Sequence, residues 1–135
     1  MIAFDTSLTV AAALPWHEFH AAARAVLPRT KLRLIAQVAV ETYSVLTRLP
    51  PPQRVPALGA RAFLKETFAL PLLVLPPGGY DELLDLAAER DISGGAVYDA
   101  LVAATALEAG ATLLSLDRRA VATYQLLQVD YRIVA

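Results

Sequence analysis

The sequence predicts an α/β fold: a three-layer α/β/α domain around a central, mostly parallel sheet of four or five short strands. Two observations carry that reading. Short apolar runs of strand length alternate with longer segments of helical character along the whole chain. Strands that alternate with helices imply a mostly parallel sheet covered on both faces. The 135 residues contain no internal repeat, linker or low-complexity stretch, so one domain spanning 1–135 accounts for them.

Residues 2–4 read as a buried strand ending at Asp5, followed by a short helical turn and a helix over 15–26. A second strand over 32–35 runs into a helix over 37–48, which Pro50, Pro51 and Pro52 stop because proline cannot continue it. The next helix, 56–67, places Pro56 in a tolerated first-turn position. Residues 72–75 read as a third strand, closed by two prolines and two glycines. A helix over 80–90 carries Asp81, Glu82, Asp85 and Glu89 mainly on a solvent side. The helix over 96–109 is apolar nearly all round and ends at Gly110, a C-terminal cap. A strand over 112–116, a helix over 119–126 and a strand over 131–134 complete the chain.

Composition narrows the function classes. Twelve basic and thirteen acidic residues give a net charge of −1, so no global basic field advertises nucleic acid. The absence of cysteine excludes a disulfide framework, a thiolate zinc site and a cysteine nucleophile. A hydrophobic share of 56% and a mean hydropathy of +0.47 predict apolar surface left for a partner, with a homodimer expected. Asp5 interrupts any apolar leader and no run reaches membrane-spanning length, so the expectation is no membrane and a cytoplasmic location.

The acids carry the chemical signal. Nine of the thirteen lie among polar neighbours or at helix ends, but Asp5, Glu41, Asp99 and Asp117 are each the first charge after an apolar run. An isolated carboxylate in an apolar setting is costly and tends to take up a proton. Asp5 and Asp117 follow two expected strands, at the sheet edge where ligands bind in open parallel folds. Glu41 and Asp99 are expected near helix N-termini, which favour negative charge by about 1 kcal/mol. Four such groups in one pocket repel unless a cation joins them, and hard oxygen ligands suit Mg²⁺ or Mn²⁺.

The stretches "FDTS", "VAVETYSVLTRL" and "GGAVYDALVAATALEAGATLLSLD", with "RRA" after the last acid, resemble a PIN-like domain of the VapC-type toxin ribonucleases. The resemblance covers almost the whole chain and implies a metal-dependent endoribonuclease toxin with a small cognate antitoxin. It places Asp5, Glu41, Asp99 and Asp117 in the family's acidic quartet, with Mg²⁺ as cofactor and Mn²⁺ able to substitute. Ser115 stands where the family often carries a small hydroxyl residue, and Thr6 and Ser7 match the polar pair after the first acid. Their expected local task is capping the next turn. The implied substrates are structured RNAs such as tRNA or rRNA, and the antitoxin is expected to reach the acids with a basic side chain.

Asp5, Asp99 and Asp117 are first choices as metal ligands, with Glu41 a further ligand or the base that orients water. Arg118 and Arg119 are candidates for flanking phosphates, and Arg24, Arg29, Lys31, Arg48 and Arg54 for a wider basic rim. His17 and His20, at i and i+3, lack a third nitrogen or sulfur ligand. Two rival readings stand beside the nuclease. A haloacid-dehalogenase-like phosphatase is suggested by "DTSLT", although Ser7 replaces that motif's second acid. A catalytically silent protein-binding module is the other.

Overall fold

The computed structural model describes residues 1–28 and 32–135. Its elements, in chain order, are β1 (Ile2–Phe4), α1 (Thr6–Ala13), α2 (His20–Ala25), α3 (Ala36–Thr47), α4 (Ala57–Thr67), α5 (Pro77–Glu89) and α6 (Ala96–Glu108). There follow β2 (Thr112–Ser115), a 3-10 turn over Arg118–Ala120, α7 (Val121–Leu127) and β3 (Tyr131–Ile133).

Among the described residues the sheet has three strands in the order β1-β2-β3, all parallel. Phe4 pairs with Leu114 and Ser115 with Ile133, so the carboxyl ends of β1 and β2 lie side by side. Successive strand residues point to opposite faces, yet both Leu113 and Leu114 are buried, so each face of the central strand is covered. Helices α1 and α6 pack against β2. The small side chains Ala100, Ala103 and Ala106 are fully buried on α6, which lets the backbone of that helix approach closely.

The sheet is smaller than the four or five strands expected. Residues 32–35 and 72–75 meet at one isolated parallel bridge, Ile35 to Leu73. Ala36 N–H donates to Leu73 O and Leu73 N–H to Leu34 O, both at 2.9 Å. The ladder cannot lengthen, because Pro71 and Pro76 bracket one segment and α3 begins immediately after the other. Arg33 reinforces the bridge by donating to the Pro71 and Leu72 carbonyls at 2.9 and 3.1 Å.

The N-terminal helices are also redistributed. Asp5 caps a full helix from Thr6, whereas the expected helix over 15–26 contracts to His20–Ala25. Leu14, held extended before Pro15, separates the two. Gly110 takes the positive φ of +68° that ends α6, as expected of a C-terminal glycine.

Candidate active site

Asp5 projects from the carboxyl end of β1 and is only 3% exposed. Its Oδ1 caps α1 by accepting the Leu8 N–H at 3.1 Å and also accepts Ser7 Oγ–H at 2.6 Å. Its Oδ2 accepts the Tyr124 hydroxyl at 2.9 Å and the Ser115 hydroxyl. Burial pushes the Asp5 pKa upward, and these hydrogen bonds oppose the rise. Burial and the neighbouring Asp5 push the Tyr124 phenol up as well, so it stays protonated and remains a donor.

The hydroxyls expected to cap the next turn face the acids instead. Ser7 Oγ additionally accepts the Leu116 N–H at 2.9 Å, tying α1 to the end of β2. Ser115 Oγ accepts the Asp117 N–H at 2.9 Å while donating to Asp5, so its side chain links two of the acids. Thr6 Oγ1 donates to Glu41 Oε2 at 3.0 Å, and Gln37 Nε2 to Oε1 at 2.7 Å. Glu41 thus has both oxygens oriented. It lies in the middle of α3, correcting its expected place near a helix N-terminus; the macrodipole effect is confined to the end turns.

Asp99 does lie in the first turn of α6. Its pKa is pushed up to about 6, first by burial and then by the charges of Asp117, Glu41 and Asp5, with Arg119 opposing. The four acids therefore share one electrostatic field. Asp117 caps the 3-10 turn, accepting the Arg119 N–H at 2.9 Å. The Arg119 guanidinium is 3.6 Å from Asp117 but 96% exposed, a pairing that solvent largely screens. Arg118 makes no hydrogen bond or ion pair with the four acids.

Among the described residues, no three His, Asp or Glu side chains are disposed to hold a metal ion. The acids are arranged more openly, around hollows. Glu41 and Asp99 line one of about 320 Å³, and Thr6, Ser7 and Asp117 line another of about 400 Å³. The hard oxygen donors and the mutual repulsion felt at Asp99 fit a divalent cation. An ion that keeps part of its hydration would suit the open arrangement and the fully occupied oxygens of Asp5.

Of the expected basic rim, Arg48 lines the Glu41–Asp99 hollow. Arg24 lies over Phe63 and Arg54 donates to Leu49 O, while Arg29 and Lys31 lie outside the described residues. The two histidines do not converge: His17 Nδ1 accepts the Phe19 N–H and His20 Nδ1 bonds Ala11 O. Sequence reasoning missed Gln37 and Tyr124. Gln37 carries the i, i+4 spacing to Glu41 that could have found it. Tyr124, distant in sequence from Asp5, carries no such local signal.

A parallel sheet with acids gathered at its carboxyl edge defines the class, and residues 2–126 match the PIN domain family; the chain belongs to that family. Ribonuclease VapC40 of Mycobacterium tuberculosis, in strains CDC 1551 / Oshkosh and ATCC 25618 / H37Rv, is 51% identical over 134 residues. That match covers 99% of each chain. Ribonuclease VapC27 of the H37Rv strain is 40% identical, over 99% of this chain and 97% of its own. The fold is shared with FitAB bound to an IR36 DNA fragment, at TM-score 0.72 and 19% identity, covering 98% and 94% of the two chains. It is shared also with FitAcB from Neisseria gonorrhoeae, at TM-score 0.66 and 17% identity, covering 97% and 96%.

Proposed function

We propose that the protein is a metal-dependent endoribonuclease toxin, acting on RNA phosphodiesters in the cytoplasm and neutralised by a small cognate antitoxin. The observation that supports this reading is the joining of Asp5 to Asp117 through Ser115 at the carboxyl edge of the sheet, with Glu41 held by Thr6 and sharing a hollow with Asp99. The ribonucleases it resembles over 99% of its length point the same way.

Asp99, Asp117 and Glu41 would hold Mg²⁺ or Mn²⁺, with Asp5 acting through water because both its oxygens already accept protein donors. When bound, the ion activates a water nucleophile and offsets negative charge developing at the phosphate. Glu41, oriented by Thr6 and Gln37, accepts the water's proton or serves as a further ligand. Tyr124, Ser7 and Ser115 hold the Asp5 carboxylate in place. Arg119, at the mouth of the Asp117 hollow, meets a flanking phosphate, and Arg118 beside it is a secondary candidate.

Structured RNAs such as tRNA or rRNA are the proposed substrates. The acidic field also suits inhibition by an antitoxin arginine, whose guanidinium pairs bidentately with carboxylates and competes with the cation. A homodimer forms through the exposed apolar face described below. The phosphatase reading loses support because the Asp5 carboxylate is buried and hydrogen-bonded on both oxygens, a poor setting for a nucleophile.

The test is RNA cleavage with Mg²⁺ or Mn²⁺ by wild type and by Asp99→Asn. Wild type is expected to cut only with metal, and the variant to lose at least about a hundredfold in rate, in the range of mutated charge-stabilising groups. Full activity in excess EDTA, or equal cleavage by the two proteins, rejects the mechanism.

A further inference from the structure

Beside the acids, the hollow between α3 and the start of α6 holds an aromatic ring and a cation that the hydrolytic step does not use. Tyr98 lines it and is 57% exposed, an unusual setting for a ring next to a half-buried acid. Its neighbours Gly94 and Gly95 have open space where a Cβ would stand, so they do not wall off the approach. Across the hollow, Arg48 Nη1 donates to Ser44 Oγ at 2.8 Å, which steadies the guanidinium on the α3 wall. Among the described residues Arg48 makes no ion pair, leaving its other N–H donors available. The volume, about 320 Å³, lies within the range of small-ligand sites.

The second hollow adjoins the first at Val45, which lines both. His17 lines that side, and its Nδ1 accepts the Phe19 N–H at 3.0 Å, placing the neutral ring's proton on Nε2 as a free donor. The acids therefore lie along a path with polar donors on both sides and one large exposed ring.

We propose that the α3–α6 hollow is a nucleotide subsite, where Tyr98 stacks on an unpaired base next to the cut phosphate and Arg48 contacts the RNA backbone. The inference rests on the ribonuclease reading and deepens it by assigning Tyr98 and Arg48 as the residues that hold the nucleotide beside the acids. Stacking needs a base free of its pairing partner, and every base offers a π face, so the subsite favours unpaired RNA of varied sequence. Tyr98, Glu41 and Asp99 line the same hollow, so a base on the ring stands beside two of the acids.

Steady-state cleavage of a short unstructured RNA, beside a duplex of the same sequence, tests it. Tyr98→Ala is expected to raise KM about tenfold, the scale of losing one stacked base, with kcat nearly unchanged. Tyr98→Phe should retain the wild-type KM and Tyr98→Leu should resemble the alanine variant. Arg48→Ala should weaken binding and reduce the slope of log affinity against log salt by about one. Fluorescence anisotropy with the same RNA in EDTA should reproduce these orders without cleavage.

An unchanged KM in Tyr98→Ala overturns the subsite while leaving the nuclease intact, as does a leucine variant equal to phenylalanine. A KM change accompanied by altered sedimentation assigns Tyr98 to a protein interface and also overturns it. A wild type that neither binds nor cuts RNA overturns both readings together. Faster cutting of the duplex removes the unpaired base alone.

Discussion

Asp5 has no spare oxygen: its two carboxylate atoms accept from Leu8, Ser7, Tyr124 and Ser115. Tyr124→Phe removes one donor from Oδ2 without changing the buried ring's volume much. Hydrogen bonds to charged groups contribute about 1.5–3 kcal/mol, so stability should fall by about that much. Cleavage should slow several-fold as Asp5 loses its alignment, read as kcat beside a urea melt; unchanged values for both would exclude a positioning role. Asp99 supplies a pH signature. Its folded pKa of about 6 exceeds the ordinary 3.8, so the fold holds that proton more tightly than the unfolded chain does. The Asp99 contribution to stability is then greatest below the unfolded value and is lost as pH rises through about 6. In EDTA, the Tm of Asp99→Asn should gain on wild type between pH 4 and pH 7, and parallel curves would contradict the shift. Mg²⁺ should stabilise wild type more at pH 7 than at pH 5, because binding requires the deprotonated carboxylate.

Helix α3 carries Glu41 on one turn and, beside it, a buried hydroxyl without a partner. Thr42 is fully buried and its Oγ1 finds no hydrogen-bond partner among the described residues. Thr42→Val keeps the β-branched shape and removes an unsatisfied polar atom, so stability should rise by about 1 kcal/mol. A denaturant midpoint that falls instead would mean the hydroxyl is satisfied in solution. Some helix termini follow local rules and were legible in sequence for that reason, although α1, α2 and the start of α5 were not. Proline before α4, Gly110 after α6 and the proline run after α3 act through their own backbones, whatever the tertiary context. The segments 32–35 and 72–75 were not legible as bridge partners, since apolar runs alone do not reveal how long a ladder can grow. Gly110→Ala tests the local rule: at φ +68° a Cβ is strained, and a loss of about 1 kcal/mol in a urea melt is expected. No loss would mean that the helix end relaxes freely.

Across the whole molecule, the parallel register of β1 and β2 brings Asp5 within hydrogen-bonding reach of Ser115, 110 residues away in sequence. Acids following apolar runs drew attention to the candidate site because Asp5 and Asp117 follow buried strands and Asp99 opens a buried helix, while Glu41 emerges from the middle of one. The hydrogen-bonding support was less legible, because Tyr124 meets Asp5 only after α7 packs. The same burial logic applies to what remains outside. Val40, Val74 and Tyr80 line one shallow hollow yet are 68%, 59% and 42% exposed, and Leu84, one turn from Tyr80 on α5, is 59% exposed. A face joining α3, residues 72–75 and α5 is thus apolar and uncovered, on a chain whose mean hydropathy is +0.47. In the proposed homodimer a second copy covers this face, and stable interfaces of this kind bury roughly 800 Å² per partner. Placing a charge at its centre with Val74→Glu should convert a wild-type dimer to a monomer in sedimentation velocity. Because Val74 is exposed, far-UV dichroism and binding of the RNA oligonucleotide in EDTA should survive. Leu84→Glu provides an independent probe of the same face. A wild-type monomer would refute the dimer itself, and two charged variants that still sediment as dimers would move the interface elsewhere on the molecule.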